Sequence, residues 1–195
     1  MFGEKIEFVI RHLLTSCKRA VISTLAKMFC LSVMHRMVVY MMRVPTHSTT
    51  LIEETKKVKS IIGVQLQSVN FFEMLSLYEI VELFANLYSS KVNPDEILDR
   101  VGLLNKKDSY FEPLSGGQKQ RLSIAVALVN DPKVLFFDEP TTGLDPQARR
   151  NMWELIKSFQ KDGKTIVLTT HYMEEAEILC DRVAIIDEGK IIKIN

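Results

Sequence analysis

Glycine is missing from a long stretch of this 195-residue chain: of its 8 glycines, none lies between Gly3 and Gly63. Over those residues, a glycine-rich loop whose backbone amides wrap a phosphate cannot be written. Cysteine is scarce. Cys17, Cys30 and Cys180 are odd in number, widely spaced and without a C-x-x-C pair, which argues against a disulfide framework or a zinc site and makes a reduced compartment the default. Long apolar runs are absent. Between Ala20 and Met42, Lys27, His35 and Arg36 cut the uncharged runs to seven residues or fewer, too short for a bilayer core that needs about 20. The basic N-terminal region carries Glu4 and Glu7 and no clear small-residue cleavage site, so it does not read as a targeting peptide. A strong charge of either sign is lacking too: 25 Lys and Arg against 24 Asp and Glu give no bulk attraction to nucleic acid or a membrane surface.

What is there is the balance of a folded protein, 47% apolar and 25% charged, which excludes disordered and collagen-like classes. Its halves differ. Residues 1–50 hold 7 Lys and Arg against 2 Glu, together with six of the nine Met and two of the three Cys. That quarter is compositionally foreign to the rest, and residues 1–60 stand apart as an atypical N-terminal segment.

Beyond it the elements have local signals. Ser76-Leu77-Tyr78-Glu79 is an S-x-x-E capping pattern ahead of an apolar-periodic run to Tyr88, and predicts a helix start. Asn93-Pro94-Asp95-Glu96 offers an N-cap, a proline at the first helical position and acids at the positive dipole end, with Gly102 as a stop. A small helical unit is therefore expected near 73–112. Val134–Phe137, Thr165–Leu168 and Val183–Ile186 are short runs rich in β-branched and aromatic residues, predicted to be strands buried on both faces. Amphipathic segments at 147–160 and 172–180 separate them, so the pattern is α/β, a mostly parallel sheet covered by helices. Asp187-Glu188-Gly189-Lys190 predicts a turn into a closing hairpin with Ile191–Ile194.

Two segments carry chemistry. Asp138-Glu139 ends the Val134–Phe137 run, at the strand edge where ligands of open α/β sheets bind. There an Asp can hold Mg²⁺ and the next carboxylate can polarise water; a solvated acidic turn is the plain alternative. Leu114-Ser115-Gly116-Gly117-Gln118 runs directly into a helical stretch from Lys119. Adjacent glycines and a hydroxyl at a helix N-terminus suit an anion such as phosphate, though a Ser-Gly-Gly turn alone is usually only a loop. Pro140-Thr141-Thr142-Gly143-Leu144-Asp145 and, after the next strand, His171 complete the series.

In that order and spacing the chain resembles the nucleotide-binding domain of an ABC transporter over residues 61–195. Leu114, Ser115, Gly116, Gly117 and Gln118 match the family's signature motif, Val134–Glu139 its Walker B, Gly143-Leu144-Asp145 its D-loop and His171 its switch histidine. Ile62–Gln67 resembles the Q-loop, and Tyr172-Met173-Glu174-Glu175-Ala176 continues the family pattern. The resemblance implies a P-loop NTPase-like fold with a helical signature subdomain, and ATP hydrolysis by a head-to-tail pair of domains. Each nucleotide would lie between one domain's Walker A and the other's signature motif. It implies that Asp138 and Gln67 support Mg²⁺, that Glu139 is the general base, and that His171 contacts the γ-phosphate. The cofactors implied are ATP and Mg²⁺. The partners are a transmembrane permease and a second ABC ATPase domain, with no nucleic acid, and the place is the cytoplasmic face of a membrane.

One motif is missing. The family's Walker A, G-x-x-x-x-G-K-[ST], belongs upstream of Gln67, where the glycines are absent. Arg19-Ala20-Val21-Ile22-Ser23-Thr24-Leu25 echoes it and would become Gly-Ala-Gly-Lys-Ser-Thr-Leu on changing Arg19, Val21 and Ile22. A decayed P-loop and unrelated sequence from a frameshift or rearrangement both fit. The family's adenine-stacking aromatic is not recognisable, and the chain stops short of the helices that usually complete the domain. Three readings stay open: a truncated or degenerate ATPase subunit, a non-catalytic partner lending its signature motif in trans, and a non-functional fragment.

Overall fold

The computed structural model describes residues 60–66, 71–187 and 190–194. The segment 1–59, with the Walker A echo, and Gln67 lie outside the described residues. The chain divides into two units. Ser60–Leu179 forms one; the described part of the other follows from Cys180.

In the first unit a parallel sheet has the order β1–β2–β3, built from Ile62–Gln65 (β1), Val134–Asp138 (β2) and Thr165–Thr169 (β3). The registers Ile62↔Val134 and Val134↔Thr165 align the three strand starts, so their C-terminal ends share one edge. Asp138 reaches that edge opposite Thr169. β2 is buried as its apolar run predicts. β3, expected to be buried on both faces, is half-buried and starts on an exposed Thr165.

The helical unit follows the local signals closely. Leu77–Leu87 (α1) starts with the reciprocal capping box, Ser76 Oγ accepting from Glu79 N and Glu79 Oε2 accepting from Ser76 N at 2.8 Å. Pro94–Arg100 (α2) is capped by Asn93 Oδ1, which accepts from Asp95 N at 3.0 Å. Its end is turned by Gly102 at φ +69, and a 3₁₀ turn, Leu104–Lys106, follows. Leu77, Ile80 and Val81 of α1 and Leu98 and Val101 at α2 are fully buried. They pack on Gly116–Leu128 (α3), where Leu122, Ile124 and Ala125 are buried as well. Each such aliphatic side chain stabilises the unit by about 1.5–3 kcal/mol relative to exposure.

α3 begins at Gly116, three residues before the expected Lys119, because Ser115 and Gln118 form a second capping box. Its C-terminal turn lies so close to β1 that a Cβ on Gly63 would stand 2.1 Å from the Ala127 carbonyl oxygen. Pro146–Lys161 (α4) buries Met152, Trp153, Ile156 and Phe159, a helical stripe, and Phe159 meets Phe137 of β2 with ring centroids 6.5 Å apart. Met173–Leu179 (α5) packs on α4.

In the second unit, Ala184–Asp187 (β4) and Lys190–Ile194 (β5) form the expected hairpin. The 183–186 run was expected as a strand of the parallel sheet buried on both faces. Instead β4 is paired antiparallel to β5, and Ile185 is 42% exposed. An apolar run of four residues is too short to tell a sandwiched strand from one arm of a hairpin.

Candidate functional site

At the C-terminal edge of the sheet the chain leaves β2 abruptly: Glu139 takes φ +48, left-handed backbone that a non-glycine side chain adopts at a cost. Thr169, at the end of β3, holds this turn. Its Oγ1 donates to Asp138 Oδ1 at 2.6 Å and accepts from Glu139 N at 3.1 Å; the same N–H also donates to Thr169 O at 3.1 Å. One residue on the neighbouring strand therefore fixes the orientation of one carboxylate and the backbone of the next.

Both oxygens of Glu139 are engaged. Oε2 accepts from Thr142 Oγ1 at 3.2 Å, and Oε1 lies 3.5 Å from His171 Nδ1. The Glu139 side chain is 16% exposed and His171 is 51% exposed. An imidazole carries its nitrogens on different sides of the ring, so with Nδ1 toward Glu139, Nε2 is the nitrogen left to meet a ligand. A half-buried carboxylate next to a histidine on one sheet edge can accept a proton from water and shape the space beyond it.

The turn after Glu139 leads through Gly143, at φ +76, to Asp145. Asp145 Oδ1 accepts from Gln147 N and Ala148 N, each at 2.9 Å, capping α4 ahead of Pro146. This aspartate is thus occupied with its own helix. The start of α3 lies against the same turn: a Cβ on Gly117 would be 3.6 Å from Ala148 Cβ and 3.8 Å from Leu144 Cδ2. A Cβ on Gly116 would meet nothing within 4 Å, and Ser115 and Gly116 are exposed. Leu114 is buried and anchors the turn, while Gln118 Oε1 accepts from Ser115 N at 3.0 Å. The surface presented by the signature motif is therefore made by Ser115, Gly116 and Gly117 at a 13-residue helix's N-terminus, where free amides and the dipole favour an anion.

The structure thus brings Asp138, Glu139 and His171 into one cluster, and sets the signature glycines beside the Gly143–Asp145 turn. The comparisons speak to the family of the chain that carries them. The family model for the ABC transporter matches residues 23–142. The chain belongs to the ABC transporter family. The linearmycin resistance ATP-binding protein LnrL of Bacillus subtilis is 39% identical over 148 residues, which is 73% of this chain and 48% of that protein. The Nod factor export ATP-binding protein I of Burkholderia orbicola is 59% identical over 96 residues, 49% of this chain and 32% of that one. The chain thus matches between about a third and a half of the length of these two curated relatives. Among solved structures, a dimeric ATP-binding cassette in a post-hydrolysis state with ADP and Pi superposes with a TM-score of 0.65 at 29% identity, covering 74% of this chain and 66% of that one.

Sequence reasoning gave no role to Thr169 and Thr142, which orient the two carboxylates, or to Arg149 and Tyr172, whose guanidinium carbon lies 4.2 Å from the ring centroid. The only available signal for Thr169 was its place at the end of a strand two residues before His171. Gln65 was missed as well: it is fully buried on β1 and its Oε1 has no hydrogen-bond partner.

Proposed function

We propose that this chain is the ATP-binding subunit of an ABC transporter, paired head to tail with a second ATPase domain and docked to a transmembrane permease on the inner face of a membrane. The observation that carries this reading is the cluster at the end of β2. Asp138 is held by Thr169, and Glu139 faces His171 at 3.5 Å. In it Glu139 would act as general base toward water, and His171 would meet the γ-phosphate. Asp138 fits Mg²⁺: it is a hard oxygen donor at a strand end, and Mg²⁺ takes one or two carboxylates together with substrate phosphates. Gln67 is the second residue proposed for that ion, which when bound neutralises phosphate charge. No helix among the described residues is long and apolar enough to cross a membrane, so the link to the membrane in this proposal is the permease. The relative named for Nod factor export supports an exporter.

The grip on the chain's own nucleotide does not fit. Residues 4–62 contain no glycine, and Ile22 stands where the resemblance calls for the lysine. The family match begins at residue 23, inside the segment that echoes a P-loop, which supports decay of a real P-loop over unrelated sequence. We therefore assign the chain a lost Walker A and a retained signature face. The open space at Gly116 suits a nucleotide presented by the opposite domain.

Two measurements test this. The isolated chain with MgATP is expected to turn over little above background. A rate of about 1–1000 per second, abolished by Glu139→Gln, would contradict the assignment. Restoring the nest and cation with Arg19→Gly, Val21→Gly and Ile22→Lys is expected to raise ATP affinity in calorimetry. If a folded triple variant gains nothing, the echo is coincidence and a frameshift origin takes its place.

A further inference from the structure

Three side chains on one stripe of α4 reach toward the segment that carries His171. Arg149, Trp153 and Gln160 are spaced by four and seven residues, the spacing of a single helix face. Gln160 Nε2 donates to Leu179 O at 2.7 Å, and Trp153 Nε1 donates to Glu175 Oε1 at 3.1 Å, tying α5 to α4. The stripe ends next to the site, where Arg149 Cζ lies 4.2 Å over the Tyr172 ring. The Tyr172 ring in turn lies 4.1 Å from the His171 ring, centroid to centroid, with 38° between their planes. The tyrosine ring is thus in contact with both the guanidinium and the imidazole.

This matters because His171 is half-exposed and no hydrogen bond shorter than its 3.5 Å approach to Glu139 is described for it. A single long contact leaves the imidazole free to turn about its χ angles. A ring packed against it removes much of that freedom, and a cation drawn to the same tyrosine's π face helps to hold that ring in place. Arg149 Nε is buried without an acceptor, and the guanidinium contact described is the one with the tyrosine ring.

We propose that Arg149 and Tyr172 are positioning residues for His171, fixing from α4 the orientation in which the imidazole faces Glu139. The inference rests on the reading of His171 as the residue that meets the γ-phosphate, but its test needs no nucleotide.

The test is NMR of the histidine side chains in the full chain, with the His171 line assigned by its loss in His171→Gln. Tyr172→Leu is expected to move that line toward the shift of an exposed histidine as the ring current disappears, while Tyr172→Phe leaves it in place. Arg149→Met is expected to shift or broaden it, and Arg149→Lys, which restores a cation, to return it. Thermal unfolding of all four variants separates loss of position from loss of fold. If a folded Arg149→Met chain keeps the native line, or Arg149→Lys perturbs it as much as the methionine does, Arg149 has no positioning role. If Arg149→Met does not fold, Tyr172→Leu against Tyr172→Phe decides for the ring and Arg149→Lys for the cation: a native line with lysine supports the proposal and a displaced one overturns it. Failure of the chain or its partner to engage ATP would overturn the functional reading and leave this result standing.

Discussion

The approach of α3 to β1 makes Gly63→Ala a sharp test of how the signature helix is held. A Cβ at that position would lie 2.1 Å from Ala127 O, 2.9 Å from Leu135 Cδ2 and 3.0 Å from Pro132 Cγ. The first partner is backbone, so no side chain can swing aside; strand and helix must separate by about an ångström. Moving β1 strains its ladder to β2 and the bonds from Asn130 Nδ2 to Ile62 O and from Lys133 N to Ile61 O, both 2.9 Å. Moving α3 instead opens the packing around Leu128, which is 1% exposed. Overpacking of this kind costs about 1–3 kcal/mol, and the backbone clash puts this case at the top, about 3 kcal/mol. At a slope of about 2 kcal/mol/M the urea midpoint should fall by about 1.5 M, and Tm by roughly 10 °C. Gly116→Ala is the paired control. It adds the same methyl in open space on a helix and should be neutral or stabilising by up to about 1 kcal/mol. Equal midpoints for Gly63→Ala and the native chain would refute the close docking of α3.

Other substitutions probe separate links. Arg121 Nη1 donates to Val101 O at 2.7 Å and Nη2 to Asn151 O at 3.4 Å, so it struts α2 against α3 and α4, and burial pulls its pKa down from the usual arginine value. Arg121→Met should lower stability by about 1.5–3 kcal/mol in urea, and a loss under 0.5 would show that the strut is slack. Trp153→Phe removes the one hydrogen bond described for the Glu175 side chain, which is without exposure and has an Oε2 already unpartnered; a loss of about 2–3 kcal/mol is expected, and an unchanged midpoint would count against it. The Lys164 ammonium, 2.7 Å away, holds the Asp131 carboxyl below its ordinary pKa. Because the folded value is the lower one, the stabilisation is fully present above about pH 4 and is lost as pH falls through the folded value. Asp131 is 86% exposed, so the gap between the native chain and Asp131→Asn should be a few tenths of a kcal/mol at pH 5 and close towards pH 2; a gap that widens in acid would reverse the sign of this argument.

How much of this was legible beforehand depended on how far apart the interacting residues are. The Ser76–Glu79 capping box and the Pro94 helix start involve neighbours within three positions, and the sequence displays them outright. The acidic pair was legible at the end of its apolar run, and the histidine through the family resemblance. Their geometry was not. The left-handed turn at Glu139 and the Thr169 clamp exist only once β2 and β3 pair across 31 residues, and the Tyr172 stack needs α4 folded against α5. The start of α3 was misplaced at Lys119 because this helix is buried on several sides: Leu122, Ser123, Ile124 and Ala125 are consecutive and all buried, which leaves no apolar stripe to mark its register. The 183–186 run was legible as one arm of the hairpin, but four apolar residues are too few to show that one of them, Ile185, is left exposed.

The central claim is that the signature face works on a nucleotide gripped by another domain. The direct measurement is the ATPase rate of an intact ABC domain mixed with this chain or with its Gly117→Asp form. Gly117 has ordinary van der Waals room for a Cβ against Ala148 and Leu144, and an acid in the first helical turn suits the dipole, so the variant should fold. Its charge would oppose a γ-phosphate brought to the helix start. The account predicts stimulation by the native chain and none by Gly117→Asp. Equal rates with the two forms, or no association of either in MgATP, would contradict it.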